Sequence, residues 1–204
     1  MKSNEMTTIR KGHTAADAMD WNEAMQLVDR MYADGKYRDA LLIASGCYLG
    51  LRISDLLRLT WGDLVSDEFT IQEQKTGKRR TLRVGDSLRR FAASCRTAMG
   101  SPQEARLVFT GEREESKPLT RQAVDKMLKQ ARVKYRIKSA KVFSSHTLRK
   151  TFGRRVWLQE CDKGRGDQAL LLLGEVFGHS SVAITKRYLG IRQDEILSVY
   201  DSLD

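Results

Sequence analysis

The chain has 204 residues, 41% of them hydrophobic and 30% charged, a composition that excludes a disordered protein and suits one ordinary domain or two small ones. Its formal net charge of +10 and pI of about 9.7 indicate a polyanionic partner, most often nucleic acid, although a merely basic surface gives the same charge. Three widely spaced cysteines argue against a disulfide framework or a zinc site, and no run of ~20 apolar residues or signal-peptide core is found, so we expect a cytoplasmic protein with no membrane partner.

The first half of the chain predicts helices around one small hairpin. Residues 1–16 are polar without periodicity and predict a flexible N-terminal arm, whereas residues 17–204 predict one domain. Helical patterns begin at residue 17 or 20 and run to 35, then span 37–49, 53–59 and a segment from 86 or 87 to 99. Apolar and polar residues alternate at 69–74 and 81–84, which predicts two antiparallel strands joined by a turn at 75–78.

The second half predicts further helices and one more short strand, at 106–109. A helix follows residues 118–120, another begins after Ser144 or Ser145, and a third covers 168–177, where all four residues from 170 to 173 are leucines expected in the core. A short helix at 182–187 ends beside Tyr188, and residues 194–203 predict an amphipathic helix that needs a partner. The whole pattern predicts a mainly α fold with a small antiparallel β-sheet (α+β).

Basic residues cluster in the hairpin, between residues 129 and 141, and beside Tyr188. The middle cluster has six basic residues and no acidic one, which favours a track along a phosphate backbone over a solvated edge. The positions expected to contact DNA are Lys78, Arg79, Arg80, Lys134, Arg136, Lys138, Lys141, Lys186 and Arg187.

Two of the three histidines lie in short motifs near the end of the chain. The motif Ser-Ser-His-Thr-Leu-Arg at 144–149 places His146 and Arg149 on one face at a helix N-terminus, which attracts phosphate. The motif Gly-His-Ser-Ser at 178–181 contains His179, and Tyr188 follows nine residues after it. Upstream, Arg52 lies in Gly-Leu-Arg-Ile-Ser-Asp-Leu and Lys75 in Gln-Lys-Thr-Gly-Lys.

These residue types suit the cleavage of a DNA phosphodiester. Two planar guanidiniums, Arg52 and Arg149, match the charge that builds up on the non-bridging oxygens. Tyr188 is the candidate nucleophile, His146 accepts or relays its proton, and His179 donates to a phosphate oxygen. Lys75 protonates the leaving 5′ oxygen. The scheme needs no metal and no cofactor.

The motifs, in this order, resemble the tyrosine recombinase (phage integrase) family from about Trp21 to the end of the chain. The resemblance implies a site-specific DNA recombinase, an integrase or invertase, that cuts and rejoins DNA through a covalent 3′-phosphotyrosyl intermediate. It implies the same six active-site residues, with Asp55 in support and Lys78 as the alternative lysine. It also implies double-stranded DNA as partner and a tetramer on DNA held through the C-terminal helix; a monomer off DNA is left open.

Two further expectations follow from the resemblance. Residues 17–204 correspond to the catalytic domain, and no separate core-binding domain is expected before them. The protein would work in the bacterial cytoplasm, associated with the nucleoid when active. The alternatives are a DNA-binding regulator of the same fold that no longer cuts, and a nicking-closing enzyme of the type IB topoisomerase kind. All of these depend on the six residues meeting in one pocket.

Overall fold

Helices dominate the computed structural model, which describes residues 16–111 and 116–191. The helices are α1 (Trp21–Ala33), α2 (Tyr37–Leu49), α3 (Ile53–Leu56), α4 (Trp61–Val65), α5 (Asp86–Ala98), α6 (Arg121–Lys134), α7 (Ser145–Cys161), α8 (Gly166–Phe177) and α9 (Val182–Leu189), and the strands are β1 (Glu68–Gln72) and β2 (Arg79–Arg83). The predicted fold class is confirmed.

Helix α2 lies at the centre because its sequence is apolar on nearly every face. Every residue from Ala40 to Cys47 is buried, as expected for a helix that contacts protein all round. Helices α1, α5 and α7 pack around it and share its large hydrophobic core. The C-terminal end of α2 therefore lies against α7 and the segment that carries Arg52.

Two glycines allow α7 to lie directly on α2. A Cβ atom on Gly46 would stand 2.7 Å from the Leu148 side chain, and one on Gly50 would overlap the ring of Phe152. Gly50 also ends α2 in the left-handed conformation, with φ of 59°, which glycine adopts without strain. The chain turns there, two residues before Arg52.

Helices α8 and α9 form a second, smaller hydrophobic cluster with α7. Its buried members include Leu173, Phe177 and Leu189, and Phe152 of α7 packs against them. Gly153 on α7 leaves the space that the Leu189 side chain fills. The His179 and Tyr188 segments are therefore joined to the main body through this second cluster.

The hairpin pairs β1 with β2 in the antiparallel register Phe69–Leu82 and Ile71–Arg80. Phe69 and Leu82 are buried, so this face of the hairpin turns inward. Because side chains alternate along a strand, Glu73, just beyond β1, continues the same face. The predicted hairpin is confirmed.

Two local predictions are wrong. Residues 106–109 form no strand; Leu107 makes one isolated bridge to Thr60, because its partner is the loop before α4 rather than an extended segment. Leu171 and Leu172 are 59% and 62% exposed, since α8 packs along one face only and the middle pair of the four leucines lies on the other. The predicted tail helix lies outside the described residues, as does most of the N-terminal arm.

Candidate active site

A cavity of about 930 Å³ opens where the end of α2, the hairpin tip, the first turn of α7 and the α8–α9 loop meet. Six of the residues that line it are the ones singled out by the sequence motifs: Arg52, Lys75, His146, Arg149, His179 and Tyr188. Segments more than 130 residues apart in sequence thus contribute to one pocket. Their individual roles stay predictions.

Arg149 is the most enclosed cation of this cavity and is only 5% exposed. Its guanidinium donates to the carbonyl of Gly50, lies 3.5 Å from the carbonyl of Val176, and stacks over the Phe177 ring at 4.5 Å from the centroid. Burial lowers the pKa of Arg149 to about 10, so the group remains a cation at neutral pH.

Arg52 enters the cavity from the short segment between α2 and α3. It donates to the Glu73 carboxylate at 2.9 Å and to the carbonyl of Phe177 at 3.0 Å. The charge-assisted bond to Glu73 fixes the orientation of the guanidinium plane. Arg52 is thus held from the hairpin on one side and from α8 on the other.

Sequence analysis missed Glu73, which binds two arginines. Besides Arg52, it lies 3.7 Å from Arg80, and it accepts a hydrogen bond of 2.7 Å from the Thr76 hydroxyl. Burial acts to raise the pKa of the Glu73 carboxyl, but Thr76 and Arg52 outweigh it and the net pKa lies below its ordinary value. Its position in the sequence indicates an inward side chain, because Glu73 continues the inward face of Phe69 and Ile71.

Arg80 belongs to the same network rather than to the open surface of the hairpin. It lies opposite Ile71 on the inward face, half-buried, and donates to the carbonyl of Val176 at 3.0 Å. Burial lowers the pKa of Arg80, and the neighbouring charge of Glu73 offsets part of that change. Its predicted contact with DNA would therefore compete with an internal partner.

Three guanidiniums converge on the C-terminal end of α8. Arg80 and Arg149 face the carbonyl of Val176, and Arg52 donates to that of Phe177. These carbonyls carry the negative end of the helix dipole and lack partners within the helix. Together with Glu73 they offset the mutual repulsion of the three cations.

Tyr188 projects its hydroxyl into this group of cations. The oxygen is buried and makes no hydrogen bond of normal geometry with any described residue. Burial raises the pKa of the Tyr188 phenol, and the charges of Arg149 and Arg52 offset part of that rise. The ring packs edge-on against Phe177 and His179, with centroids 5.2 and 5.1 Å away.

The two histidines occupy different parts of the cavity. His179 lies after the left-handed cap Gly178, and its Nδ1 is 3.1 Å from the Thr185 hydroxyl. When that hydroxyl donates to Nδ1, the proton of the neutral ring is on Nε2. His146 is exposed in the first turn of α7, which Ser144 caps. Partial loss of solvent around the rings, and then nearby cations, lower the pKa of both imidazoles, although the His146 residue as a whole is exposed.

Lys75 lies in the exposed turn of the hairpin, whose base is fixed to the rest of the site. The buried Asp55 carboxylate accepts from the backbone N–H of Gln74 at 2.9 Å, and Thr76 binds Glu73. Asp55 therefore contacts the hairpin through Gln74 rather than supporting Arg52 or Arg149 by a direct hydrogen bond. The turn keeps Lys75 over the cavity while its side chain remains in solvent.

Most of the remaining basic candidates lie on the surface, away from the cavity. Lys78, Arg79, Arg136, Lys138, Lys141 and Arg187 are exposed and Lys186 is half-buried. Lys134 pairs with Asp34, and Glu23 accepts from the backbone of Lys138. The stretch 129–141 thus has acidic neighbours in space although its own sequence contains none, and its contacts with DNA stay predictions.

Two kinds of feature are absent from the residues that the structure describes. No group of three or more His, Cys, Asp or Glu side chains in that part of the chain is arranged to hold a metal ion. No helix there is long and apolar enough to cross a membrane.

Comparison with known proteins gives one consistent family. The model of the phage integrase family matches residues 17–195. The probable integrase/recombinase YoeC of Bacillus subtilis (strain 168) is 30% identical over 179 residues, which cover 87% of this chain and 91% of that protein. Tyrosine recombinase XerD of Staphylococcus saprophyticus is 26% identical over 192 residues, or 91% of this chain and 61% of that one.

Solved structures share the fold. The crystal structure of XerA recombinase superposes with a TM-score of 0.67 at 19% identity, over 96% of this chain and 66% of that one. A lambda integrase dimer bound to a COC′ core site gives 0.63 at 18% identity, over 88% and 49%. The chain therefore spans nearly all of YoeC but about half to two thirds of these longer relatives.

Proposed function

The chain belongs to the phage integrase family, and we propose on that basis that it is a site-specific DNA recombinase. It would cut and rejoin double-stranded DNA by transferring a phosphoryl group to Tyr188 and back. The observation that carries this proposal is the meeting of two guanidiniums and one buried phenol at a single cavity. The buried Tyr188 hydroxyl makes no hydrogen bond of normal geometry with any residue that the structure describes, and a phosphate in the cavity would supply a partner.

In the proposed cleavage step the Tyr188 oxygen attacks phosphorus and the bond to the 5′ oxygen breaks. His146 takes the phenol proton, and Lys75 gives a proton to the departing 5′ oxygen. Arg52, Arg149 and His179 bind the non-bridging oxygens as their charge increases. Each donor already has a fixed backbone or side-chain partner, so little reorganisation is needed when the phosphate arrives.

Rejoining reverses these steps. A 5′ hydroxyl attacks the 3′-phosphotyrosyl bond, Lys75 takes up the hydroxyl proton, and the phenol regains its own. Because one phosphodiester is exchanged for another through a phosphotyrosine, the cycle requires no nucleotide hydrolysis. Exchange between two duplexes then depends on which 5′ hydroxyl reaches the cavity.

The exposed basic residues supply the proposed contacts to the DNA backbone. Those on the hairpin flank Lys75, and Arg187 precedes the nucleophile directly. Each cation that neutralises a phosphate releases a counterion, so affinity should fall steeply with salt. The protein would then act in the bacterial cytoplasm, on nucleoid DNA.

We also propose that four copies assemble on DNA through residues 194–203, whose amphipathic sequence requires a partner. This segment lies outside the described residues, and its sequence pattern alone supports the proposal. The mass of the protein–DNA complex tests it, and we expect a complex that contains four copies. A mass that never exceeds one or two copies would contradict the proposal.

The covalent step is tested with a pool of nicked suicide duplexes of random sequence. Such a duplex releases its short product strand after cleavage, so that rejoining fails and the covalent intermediate is trapped. We expect the wild type to form a denaturation-resistant adduct whose DNA defines the target on sequencing, and Tyr188→Phe to form none. Tyr37→Phe, which removes a hydroxyl from another part of the molecule, should behave as the wild type. Binding without any adduct would favour the non-cutting regulator, and adducts in Tyr188→Phe would contradict the assigned nucleophile.

A further inference from the structure

Lys150 follows Arg149 on α7 and approaches Tyr188 from the side away from the cavity. Its ammonium nitrogen lies 5.1 Å from the centroid of the Tyr188 ring. Lys150 is only 9% exposed, which is rare for a lysine outside an ion pair. Two consecutive residues of α7 thus act on one side chain, Arg149 near the hydroxyl and Lys150 on the ring.

No ion pair within residues 16–111 and 116–191 accounts for the burial of Lys150. Among the residues that the structure describes, Lys150 forms no salt bridge, and Asp17 acts on it only through its electric field. Burial lowers the pKa of the Lys150 ammonium. Lys150 also lines a separate cavity of about 710 Å³, together with Asp17, Thr151 and Arg154. The Tyr188 ring is therefore a principal interaction partner of the cation.

We propose that Lys150 is a positioning residue for the nucleophile: its ammonium holds the Tyr188 ring in the attacking orientation and favours ionisation of the phenol from behind. The inference rests on the proposed function, in which Tyr188 attacks phosphorus. A cation binds the negative face of an aromatic ring, and the attraction grows as the ring gains charge. The contact is thus stronger with the phenolate than with the phenol, which is the requirement for helping the reaction.

The charged groups around these two side chains define what else can titrate. Arg149, Arg52 and His179 face Tyr188 from α7, the α2–α3 segment and the α8–α9 loop. On the other side of Lys150, Asp17 and Asp20 precede α1, Lys138 and Lys141 precede α7, and Arg154 and Arg155 follow on α7. The Asp17 carboxylate offsets part of the effect of burial on the pKa of Lys150.

The test compares Lys150→Met with Lys150→Arg in single-turnover cleavage of a duplex that the wild type cuts. Methionine keeps an unbranched chain without the charge, and arginine keeps a cation. We expect Lys150→Met to be about tenfold slower at neutral pH, the deficit to shrink as pH rises and the phenol ionises unaided, and Lys150→Arg to retain most of the rate. Lys126→Met, the same change on the exposed face of α6, should match the wild type.

A second readout needs no DNA. The ultraviolet absorbance of phenolate, taken as the difference between each protein and its Tyr188→Phe partner, gives the titration of Tyr188 directly. We expect the titration to move to higher pH in Lys150→Met, and Lys150→Gln serves if the methionine variant does not fold. An unchanged titration, or a rate loss of equal size at every pH, would overturn the inference. If the wild type forms no adduct, the proposed function fails, while the titration still decides the role of Lys150.

Discussion

Glu73 shows how one carboxylate allows two arginines to share a small space. Its oxygens contact Arg52 and Arg80, and the Thr76 hydroxyl satisfies it further. A half-buried guanidinium without a partner is costly, so removing the carboxylate would affect both arginines at once. An incoming phosphate presents oxygens of the same kind, and it can accept from the guanidinium N–H groups that Glu73 leaves unused.

At the same scale, the two histidines of the cavity predict how stability depends on pH. Both pKa values are lowered in the folded protein, chiefly by burial, so the unfolded chain binds these protons first. Stability is therefore fully present above about pH 6.5 and is lost as the pH falls below it. In urea titrations at several pH values, we expect a wild-type decline that His146→Gln/His179→Gln reduces.

The third histidine offers a matched control for that measurement. His13→Gln removes a histidine without touching the cavity motifs, and we expect it to leave the decline unchanged. If the double variant lost stability with acid as steeply as the wild type, the lowered pKa values would be contradicted.

At the scale of elements, the contact between α2 and α7 positions both arginines. Gly46 and Gly50 let the helices approach, and the left-handed turn at Gly50 leads directly to Arg52. The Gly50 carbonyl then accepts from Arg149. The C-terminal end of α2 thus orients Arg52 through the chain that follows it, and Arg149 through a hydrogen bond.

This contact predicts unequal costs for two similar glycine substitutions. Gly35 and Gly50 both end helices with positive φ, but only Gly50 faces a neighbouring side chain, the ring of Phe152. Gly35→Ala should lower the free energy of unfolding by about 1–2 kcal/mol through backbone strain alone. Gly50→Ala should cost about 1–3 kcal/mol more, since Phe152 must move. Urea denaturation measures both, and equal costs would show that α7 yields freely.

Local patterns predicted most of the fold because capping residues, glycines and periodicity act within a few positions. Helix α2 has the predicted ends, Ser144 caps α7, and the hairpin forms where alternation predicted it. The exposed leucines of α8 could not be foreseen, because a run of four apolar residues does not say which of them finds a partner. That choice depends on how much surface α7 and α9 offer.

The residues of the site also divide into those that local sequence predicted and those that it did not. Short motifs identified the six cavity residues, whereas Glu73, Arg80 and Lys150 were overlooked as members of the site because their importance comes from neighbours distant in sequence. Lys150 and Tyr188 are in contact although 38 residues apart in sequence, and Arg80 and Val176 although 96 residues apart. A pattern confined to one segment carries no information on such pairs.

On the scale of the whole molecule, the residues that the structure describes form one large hydrophobic core and one small one. The large core includes α2, most of the other helices and the hairpin, while the small one joins α8 and α9 to the outer part of α7. A unit that buries fewer apolar side chains is expected to open at lower free energy. Tyr188, the proposed nucleophile, and His179 belong to the smaller unit.

Backbone amide exchange should reveal this division. We expect the amides of α8 and α9 to exchange faster than those of α2 at the same temperature, with the difference growing on warming. Exchange at one common rate in all three helices would mean that the two cores open together.

The small core has a consequence for an overheated cell. If α8 and α9 loosen first, Tyr188 leaves the cavity, while the exposed cations of the hairpin keep the positions from which we propose that they contact DNA. At high temperature the protein would then remain bound to DNA without cutting it, because a displaced Tyr188 cannot attack phosphorus. Loss of cleavage would then precede loss of DNA binding, because Tyr188 is held by the smaller hydrophobic core.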